Sequence, residues 1–341
     1  MINFIDLVRQ KEELEPHLSK RINDLIAESK FIMGPEVHEL ESELKHYVGQ
    51  ECVTVANGTD ALFISLKAIG IEAGDEVIVP SFTWVSTAEV VKLAGAEPVF
   101  IDVDPNFNLN IDKLEALITN KTKAIIPVSM FGKMPDLFKI MEIADKNNLV
   151  VIEDAAQSFG AKFNGSLSCS IADISTTSFF PAKPLGCYGD GGAIFVKNKN
   201  YLEKIQTIPR HGQQGRYNYV EVGVNSRLDT LQAAVLLEKL KIFESEIELR
   251  NEVALTYRKN LQGTNLIDLP QINDVSNRSV WAQYTVLLDH SIFDKRQKVM
   301  ELLKDEGIPS ALYYPVPLHK VKSYSPKKKI SLKNTEDFAD R

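Results

Sequence analysis

The sequence predicts an α/β protein: a large domain with a mostly parallel, doubly wound sheet, followed by a smaller C-terminal α+β domain. Short β-branched runs alternate with segments of helical spacing through the first two-thirds of the 341 residues. Several of these runs are continuously apolar, which is typical of strands covered on both faces of a sheet. After about residue 225 the alternation gives way to a long helix-compatible stretch. The alternating part therefore predicts βαβ units with right-handed crossovers.

The predicted large domain spans residues 1–235, and its first 30 residues are expected to pack near the small domain. Helical spacing in segments such as "ALFISLKAIG" and "DLFKIMEIADK" separates the predicted strands. Ligands of such sheets bind outside the carboxyl ends of the strands, so the residues that follow each run are candidates for the site. The predicted strands are "ECVTV" (51–55), "DEVIVP" (75–80), "EPVFIDV" (97–103), "KAIIPV" (123–128) and "NLVVIE" (148–153).

The predicted small domain spans residues 236–341. Residues 226–263 are compatible with one continuous helix that ends at Gly263, and such a helix commonly leaves one domain and supports the next. Residues 279–288 and 308–314 then predict two strands on either side of the helical "FDKRQKVMELLKDEG".

Composition excludes some classes of function. The chain is 44% hydrophobic and 25% charged with a net charge of −7, which gives no support to nucleic-acid binding and requires local cations for any anionic substrate. No apolar run is long enough to predict a membrane span, and the N-terminus lacks a signal-peptide core. Cys52, Cys169 and Cys187 are widely spaced, which favours unpaired thiols in a cytoplasmic protein and no metal site.

A single lysine stands in the glycine-rich segment "SFFPAKPLGCYGDGGA" (178–193). A neutral lysine amine can attack a carbonyl carbon and form a Schiff base. Pro184 disfavours helical geometry at Lys183, and the glycines allow the backbone to approach a ligand closely. Taken alone, the pattern is also that of an ordinary surface lysine.

The segment "VVIEDAAQSFGA" (150–161) places an acid behind a buried strand. Asp154 at this position is partly desolvated and needs a cationic partner, and a protonated pyridine nitrogen is one. The alternative is that Asp154 only caps the next helix.

Two further segments supply candidate groups for binding a phosphate and a flat ring. In "ANGTDAL" (56–62), Gly58 and Thr59 lie between a strand and a helix, where backbone N–H groups bind phosphate, and Ser178 can add a hydroxyl. Trp84 follows a strand end and can stack on a flat ring. An ordinary strand–helix junction and a core tryptophan are the alternatives. Together with Lys183 and Asp154, these groups match the needs of pyridoxal 5'-phosphate.

The sequence resembles the nucleotide-sugar aminotransferases of the DegT/DnrJ type, in the aspartate-aminotransferase (fold type I) superfamily. The resemblance covers nearly the whole chain. Within the family, the chain looks most like O-antigen (lipopolysaccharide) enzymes that aminate C3 of a UDP-2-acetamido-3-oxo-hexuronate with L-glutamate as donor. The family resemblance is carried by "FIMGPEVHELE", "ANGTDAL", "GDEVIVPSFTWVSTAE", "KAIIPVSMFG", "EDAAQSFGA", "TSFFPAKPLGCYGDGGA", "RHGQ", "GVNSRLDTLQAAVLL" and "YYPVPLH".

The resemblance implies roles for the residues already named. Lys183 would be the Schiff-base lysine and the proton shuttle, and Asp154 would pair with the pyridine nitrogen. Gln157 would face the ring hydroxyl and Trp84 would stack on the ring. The phosphate would be bound by Gly58, Thr59 and Ser178.

The resemblance also implies a homodimer with shared active sites. Asn225 is expected to reach the phosphate of the neighbouring subunit, and His211 and Arg227 are expected on the sugar-nucleotide side. Tyr313 and Tyr314 are the candidate substrate residues of the small domain. Relatives often have histidine where this chain has Tyr313, so this loop departs from the family pattern at that position.

Three alternatives remain beside this function. Sugar dehydratases of the same scaffold replace the lysine with histidine, so Lys183 argues against that activity. An inactive or regulatory cofactor-binding relative is suggested only by the C-terminus, which is expected to be short because relatives continue past "NTEDFADR". Another 3- or 4-keto sugar nucleotide is the third alternative. A nicotinamide enzyme is disfavoured because no G-x-G-x-x-G follows a strand and opens a helix.

Overall fold

A seven-stranded sheet forms the centre of the molecule. The structure is a computed structural model that describes residues 2–272, 275–326 and 328–341; Met1, Asn273, Asp274 and Lys327, which belong to the predicted domains, lie outside the described residues. The strand order is β1-β9-β8-β5-β4-β2-β3. The strands are β1 (Glu51–Val55), β2 (Glu76–Pro80), β3 (Glu97–Ile101), β4 (Thr122–Ile125), β5 (Val150–Asp154), β6 (Lys162–Phe163), β7 (Ser166–Leu167), β8 (Ile174–Ser178), β9 (Gly192–Val196), β10 (Ile267–Asp268) and β11 (Leu287–Leu288).

The predicted sheet is confirmed, because the five neighbouring strands β3, β2, β4, β5 and β8 pair in parallel. Only β9 runs opposite to the other six strands of this sheet, because it pairs antiparallel with both β8 and β1. Each of the five apolar runs predicted as strands forms one of β1 to β5. The short β6–β7 and β10–β11 pairs lie outside the central sheet.

Helices cover both faces of the sheet. One apolar layer contains residues of α3, α6 and α8, and the other contains residues of α4, α5 and α7. No helix among the described residues is both long and apolar enough to cross a bilayer. The helices are α1 (Leu7–Leu14), α2 (His17–Glu28), α3 (Pro35–Val48), α4 (Gly58–Ala68), α5 (Ser86–Leu93), α6 (Leu137–Lys146), α7 (Leu202–Thr207), α8 (Thr230–Leu240), α9 (Phe243–Leu261), α10 (Arg296–Asp305) and α11 (Lys333–Asp340).

The single long helix predicted over 226–263 is wrong, because the structure divides it into α8 and α9. The Ile242 N–H donates to the carbonyl three residues back, at Lys239, which tightens the end of α8. Ile242 then packs against the cluster of Leu14, Leu18 and Val235. The turn therefore bends the chain around the N-terminal helices.

The two strands predicted over 279–288 and 308–314 are also wrong, except for β11. The Val280 N–H and the Ser279 hydroxyl both donate to the Gly132 carbonyl, so this stretch bonds a loop of the large sheet instead of a strand. Trp281 has a φ of +47°, which interrupts an extended chain. Residues 308–314 form no strand.

The terminal segments make contacts in both predicted domains, and the boundary at 235/236 stays a prediction. The Ile2 N–H donates to the Gly307 carbonyl over 3.4 Å, and the packing of residues 1–30 near a small domain likewise stays a prediction. The C-terminal segment packs on the large sheet instead: the Leu318 N–H donates to the Ser81 carbonyl. Asp102, beyond the end of β3, accepts from the Thr335 N–H at the start of α11 over 2.9 Å.

Candidate active site

The carboxylate of Asp154 lies at the carboxyl end of β5 and is only 6% exposed. Its Oδ2 accepts from the Thr87 hydroxyl over 2.9 Å, and its Oδ1 accepts from the Ala156 N–H over 3.2 Å. Burial raises the pKa of Asp154, while these two donors and the nearby charge of Lys183 lower it. No ion pair within 4 Å of Asp154 occurs among the described residues, so the carboxylate can accept a cationic group.

Lys183 lies in the loop between β8 and β9 and is half-buried, unlike an ordinary surface lysine. Its backbone N–H donates to the Phe180 carbonyl over 2.8 Å, in a tight turn. Burial lowers the pKa of the Lys183 amine, and the opposite charge of Asp154 works against that shift. The site therefore increases the fraction of neutral amine, the form that attacks a carbonyl.

The N-terminus of α4 lies directly against the end of β8. The helix begins at Gly58, and a Cβ at that position would lie 2.7 Å from the Cβ of Ser178. The Asn57 side chain accepts from the Asp60 N–H over 2.8 Å, while the first-turn N–H groups of Gly58 and Thr59 have no acceptor within the helix. The Thr59 hydroxyl lies 2.7 Å from that of Ser86 on α5. These groups can bind a phosphate.

Gln157 and Trp84 both contact Tyr314. The Gln157 Oε1 accepts from the Phe131 N–H over 2.9 Å, and its Nε2 donates to the Tyr314 hydroxyl over 3.2 Å. Trp84 is 59% exposed, which excludes the alternative of a core tryptophan. Its ring centre lies 6.3 Å from that of Tyr314, and the Tyr313 ring lies edge-on to Tyr314 at 5.6 Å. The two tyrosines thus lie beside residues that follow β2 and β5.

His211, Asn225 and Arg227 form a separate group on the surface. His211 and Asn225 are exposed, and the Arg227 Nε donates to the Asn225 Oδ1 over 3.0 Å. The His211 N–H donates to the Val224 carbonyl over 2.9 Å, which joins the two segments. Within the part of the chain that the structure describes, no hydrogen bond or ion pair links these three side chains to Lys183.

Sequence reasoning missed two residues around Asp154. Thr87 is fully buried and lies one helical turn after Trp84, a spacing that could have indicated a contact with the site. Glu153 is fully buried and lies on the opposite face of β5, as strand alternation requires. Burial raises the pKa of Glu153. Its oxygens accept from the hydroxyls of Ser129, Ser168 and Ser175 and from the Cys169 N–H.

The arrangement fits pyridoxal phosphate by its chemistry. The N-terminus of α4 with Ser178 suits the phosphate, the buried Asp154 suits a protonated ring nitrogen, and the amine of Lys183 suits the aldehyde. A Cβ at Gly192 would lie 2.6 Å from the Asn57 carbonyl carbon, so glycine is needed where β9 approaches the start of α4. The three binding groups come from β5, α4 and the β8–β9 loop.

Comparison with known proteins gives one family for almost the whole chain. The DegT/DnrJ/EryC1/StrS aminotransferase family matches residues 12–341. A UDP-2-acetamido-2-deoxy-3-oxo-D-glucuronate aminotransferase of Pseudomonas aeruginosa is 51% identical over 322 residues, covering 94% of this chain and 88% of the relative.

Solved structures agree with the fold. A DegT/DnrJ/EryC1/StrS aminotransferase from Brucella abortus superposes with a TM-score of 0.93 at 42% identity, covering 100% of this chain and 92% of that one. NtdA from Bacillus subtilis, solved with bound cofactor PMP, superposes with a TM-score of 0.87 at 30% identity. That alignment covers 96% of this chain and 76% of NtdA.

Proposed function

This chain belongs to the DegT/DnrJ/EryC1/StrS aminotransferase family, and on that basis we propose that it is a pyridoxal-phosphate-dependent aminotransferase of sugar nucleotides. Its substrate is a UDP-2-acetamido-3-oxo-hexuronate, aminated at C3 for cell-surface polysaccharide synthesis. The amino donor is L-glutamate. The identity of 51% to the P. aeruginosa glucuronate aminotransferase supports this choice of sugar. The three unpaired thiols support a reducing, cytoplasmic location.

One observation carries the reaction type. Lys183 is an amine whose pKa is lowered by burial, and it lies within electrostatic range of a buried carboxylate, Asp154. An amine with a lowered pKa can both attack a carbonyl and carry protons near neutral pH.

Three parts of the chain would hold the cofactor. Gly58, Thr59 and Ser178 would bind its phosphate, and Asp154 would bind its ring nitrogen. When bound, pyridoxal phosphate supplies an electron sink that makes a C–H bond next to nitrogen acidic. Gln157 and the exposed face of Trp84 complete the proposed ring site.

The chain's own side chains then handle the protons. The Nζ of Lys183 removes a proton from one carbon and returns it to another, which a neutral amine can do. The Thr87 hydroxyl and the Ala156 N–H donate to Asp154 and so stabilise its negative charge against the burial that raises its pKa. Those two donors also fix the direction in which the carboxylate faces the site.

The sugar nucleotide is proposed to bind toward the surface group. Arg227 and His211 would supply hydrogen bonds to a carboxylate or diphosphate. Because the chain carries a net charge of −7, an anionic substrate needs such local donors. Tyr313 and Tyr314 would contact the sugar from the small domain. Asn225 would reach the phosphate of a second subunit, so the active enzyme is a homodimer with shared sites.

The test is amination of a panel of 3-keto and 4-keto sugar nucleotides with ¹⁵N-labelled L-glutamate, followed by mass spectrometry of the product. We expect ¹⁵N in the 3-amino hexuronate with the wild-type chain and with the exposed-lysine control Lys199→Ala. Lys183→Ala should give none. Preferential amination of a 4-keto sugar would overturn the substrate, and visible cofactor binding without any amination would point to a regulatory relative.

A further inference from the structure

The loop that carries Lys183 is folded tightly on itself. We call residues 179–191 the lysine loop. The Cys187 N–H donates to the Phe179 carbonyl over 2.7 Å, and the Phe179 N–H donates to the Gly191 carbonyl over 2.8 Å. The Cys187 thiol donates to the Phe179 carbonyl over 3.0 Å. Displacement of the second half of the loop is therefore passed on to the first half, which carries the amine.

Helix α8 contacts the second half of the lysine loop through Gln232. The Tyr188 N–H donates to the Gln232 Oε1 over 2.9 Å. A Cβ at Gly189 would lie 2.9 Å from the Gln232 Nε2, so glycine allows the amide to lie against the loop backbone. The Gln232 side chain thus bonds the backbone at Tyr188 and lies against Gly189.

Lys239 lies on the same helix, about two turns after Gln232, and is only 1% exposed. Its Nζ lies 4.6 Å from the centre of the Tyr188 ring, a cation–π geometry. The Nζ has no hydrogen-bond partner among the described residues. Burial lowers the pKa of Lys239 to about 8, and Glu246 of α9 and Cys187 of the loop oppose that shift. A buried amine without a hydrogen bond costs stability, so its presence calls for a reason.

We propose that Gln232 and Lys239 are positioning residues that hold the lysine loop from α8 and so keep the Lys183 amine within electrostatic range of Asp154. Gln232 holds the loop backbone at Tyr188, and Lys239 holds the Tyr188 ring. The role of the loop as the carrier of a reactive amine rests on the proposed function. The contacts of Gln232 and Lys239 with the loop, which we call the brace, do not. Neither side chain touches the reacting atoms.

The test measures the pKa of Lys183 in the full chain without cofactor, by acetylation across a pH series and mass spectrometry of the Lys183 peptide. Gln232→Leu keeps the size of the side chain but removes the acceptor. We expect the pKa of Lys183 to rise by at least about half a unit toward that of a free lysine, because the loop relaxes into water and the loss of burial outweighs the loss of the Asp154 charge. The matched control Gln297→Leu, on exposed α10, should leave it unchanged.

Lys239→Met supplies the discriminating variant. It should raise the pKa of Lys183 in the same direction as Gln232→Leu, while raising the thermal midpoint because the buried amine is gone. The gain in midpoint should be full below about pH 8 and should vanish above pH 10.5, because the unfolded lysine then also loses its proton. The control is Lys298→Met on α10, which is exposed.

The outcomes separate this inference from the proposed function. Thermal midpoints that change while the pKa of Lys183 stays at the wild-type value in both variants would overturn the brace and leave a merely structural role. A wild-type chain that shows the lowered pKa of Lys183 but aminates no keto sugar would overturn the proposed function and leave the brace intact. A pH titration of the visible absorbance of the cofactor-loaded variants gives the second readout and should shift with the acetylation result.

Discussion

Two parts of the candidate site differ in how their side chains are held. Asp154 is buried with two hydrogen-bond donors, and Lys183 is half-buried in a loop that is bonded at several points. His211 and Asn225 are instead exposed, and Asn225 has Arg227 as its side-chain partner. We call Asp154 and Lys183, at the carboxyl ends of β5 and β8, the sheet edge. The sheet edge is therefore preorganised within one chain, whereas the surface group presents polar atoms outward.

This difference teaches which part of the chemistry each region can perform alone. Preorganised, desolvated groups shift pKa values and act on protons, and the sheet edge has both properties. The electrostatic interactions of exposed groups become strong only when a ligand or a second surface removes the water around them. We therefore expect large effects on turnover from the loss of a sheet-edge group, and smaller effects on binding from the loss of one hydrogen bond in the surface group.

The largest effect is expected for Lys183→Ala. The variant removes the amine that carries the protons, so kcat should fall by about ten-thousandfold. The thermal midpoint should stay near that of the wild type, because the half-buried side chain contributes little to the apolar core. Steady-state turnover by the variant without added amines would show that another group moves the protons.

A smaller effect is expected for Asp154→Asn. The amide keeps the size of the side chain but cannot hold a ring nitrogen protonated, so kcat should fall by about a hundredfold with the cofactor still bound. Rapid-scan absorbance would separate cofactor binding from proton transfer. If kcat stayed near the wild-type value, Asp154 would only accept hydrogen bonds from the turn that follows β5 and from Thr87, and would not act on the ring nitrogen.

The smallest effect is expected in the surface group, for Arg227→Met. Loss of one charge-assisted hydrogen bond should raise the KM for the sugar nucleotide by about tenfold with little change in kcat. Steady-state kinetics with the sugar nucleotide varied at saturating L-glutamate would check this. A selective loss of kcat would place Arg227 in the catalytic step and remove the contrast between the two regions.

The sequence predicts the sheet edge well for physical reasons. Buried parallel strands are continuous apolar runs, and the residues after them are brought together by the topology itself. Thus the segments with Gly58, Asp154 and Lys183 meet as expected from local patterns alone. The roles of Thr87 and Gln232 were not predicted, because their partners Asp154 and Tyr188 are distant in sequence and meet them only in the folded chain.

The C-terminal third is less predictable because tertiary contacts override its local pattern. The helix-compatible stretch over 226–263 is interrupted where Ile242 packs on the N-terminal helices. Residues 279–286 have strand-like composition, yet Val280 bonds the carbonyl of Gly132. Neither partner is visible in the local sequence, so propensity alone gave a longer helix and two strands.

The contrast between the two regions is tested most directly by mixing subunits of two inactive variants. Lys183→Ala removes the amine of the sheet edge, and Asn225→Asp places a negative charge where the surface group is proposed to meet the phosphate of a second subunit. Random exchange between dimers would pair both defects in one site of each mixed dimer and leave its other site intact. We predict recovery of about a quarter of wild-type activity, because about half of the dimers are mixed and each has one intact site. Absence of activity despite exchange proven by native mass spectrometry would contradict the shared site and would assign both regions to a site within one chain.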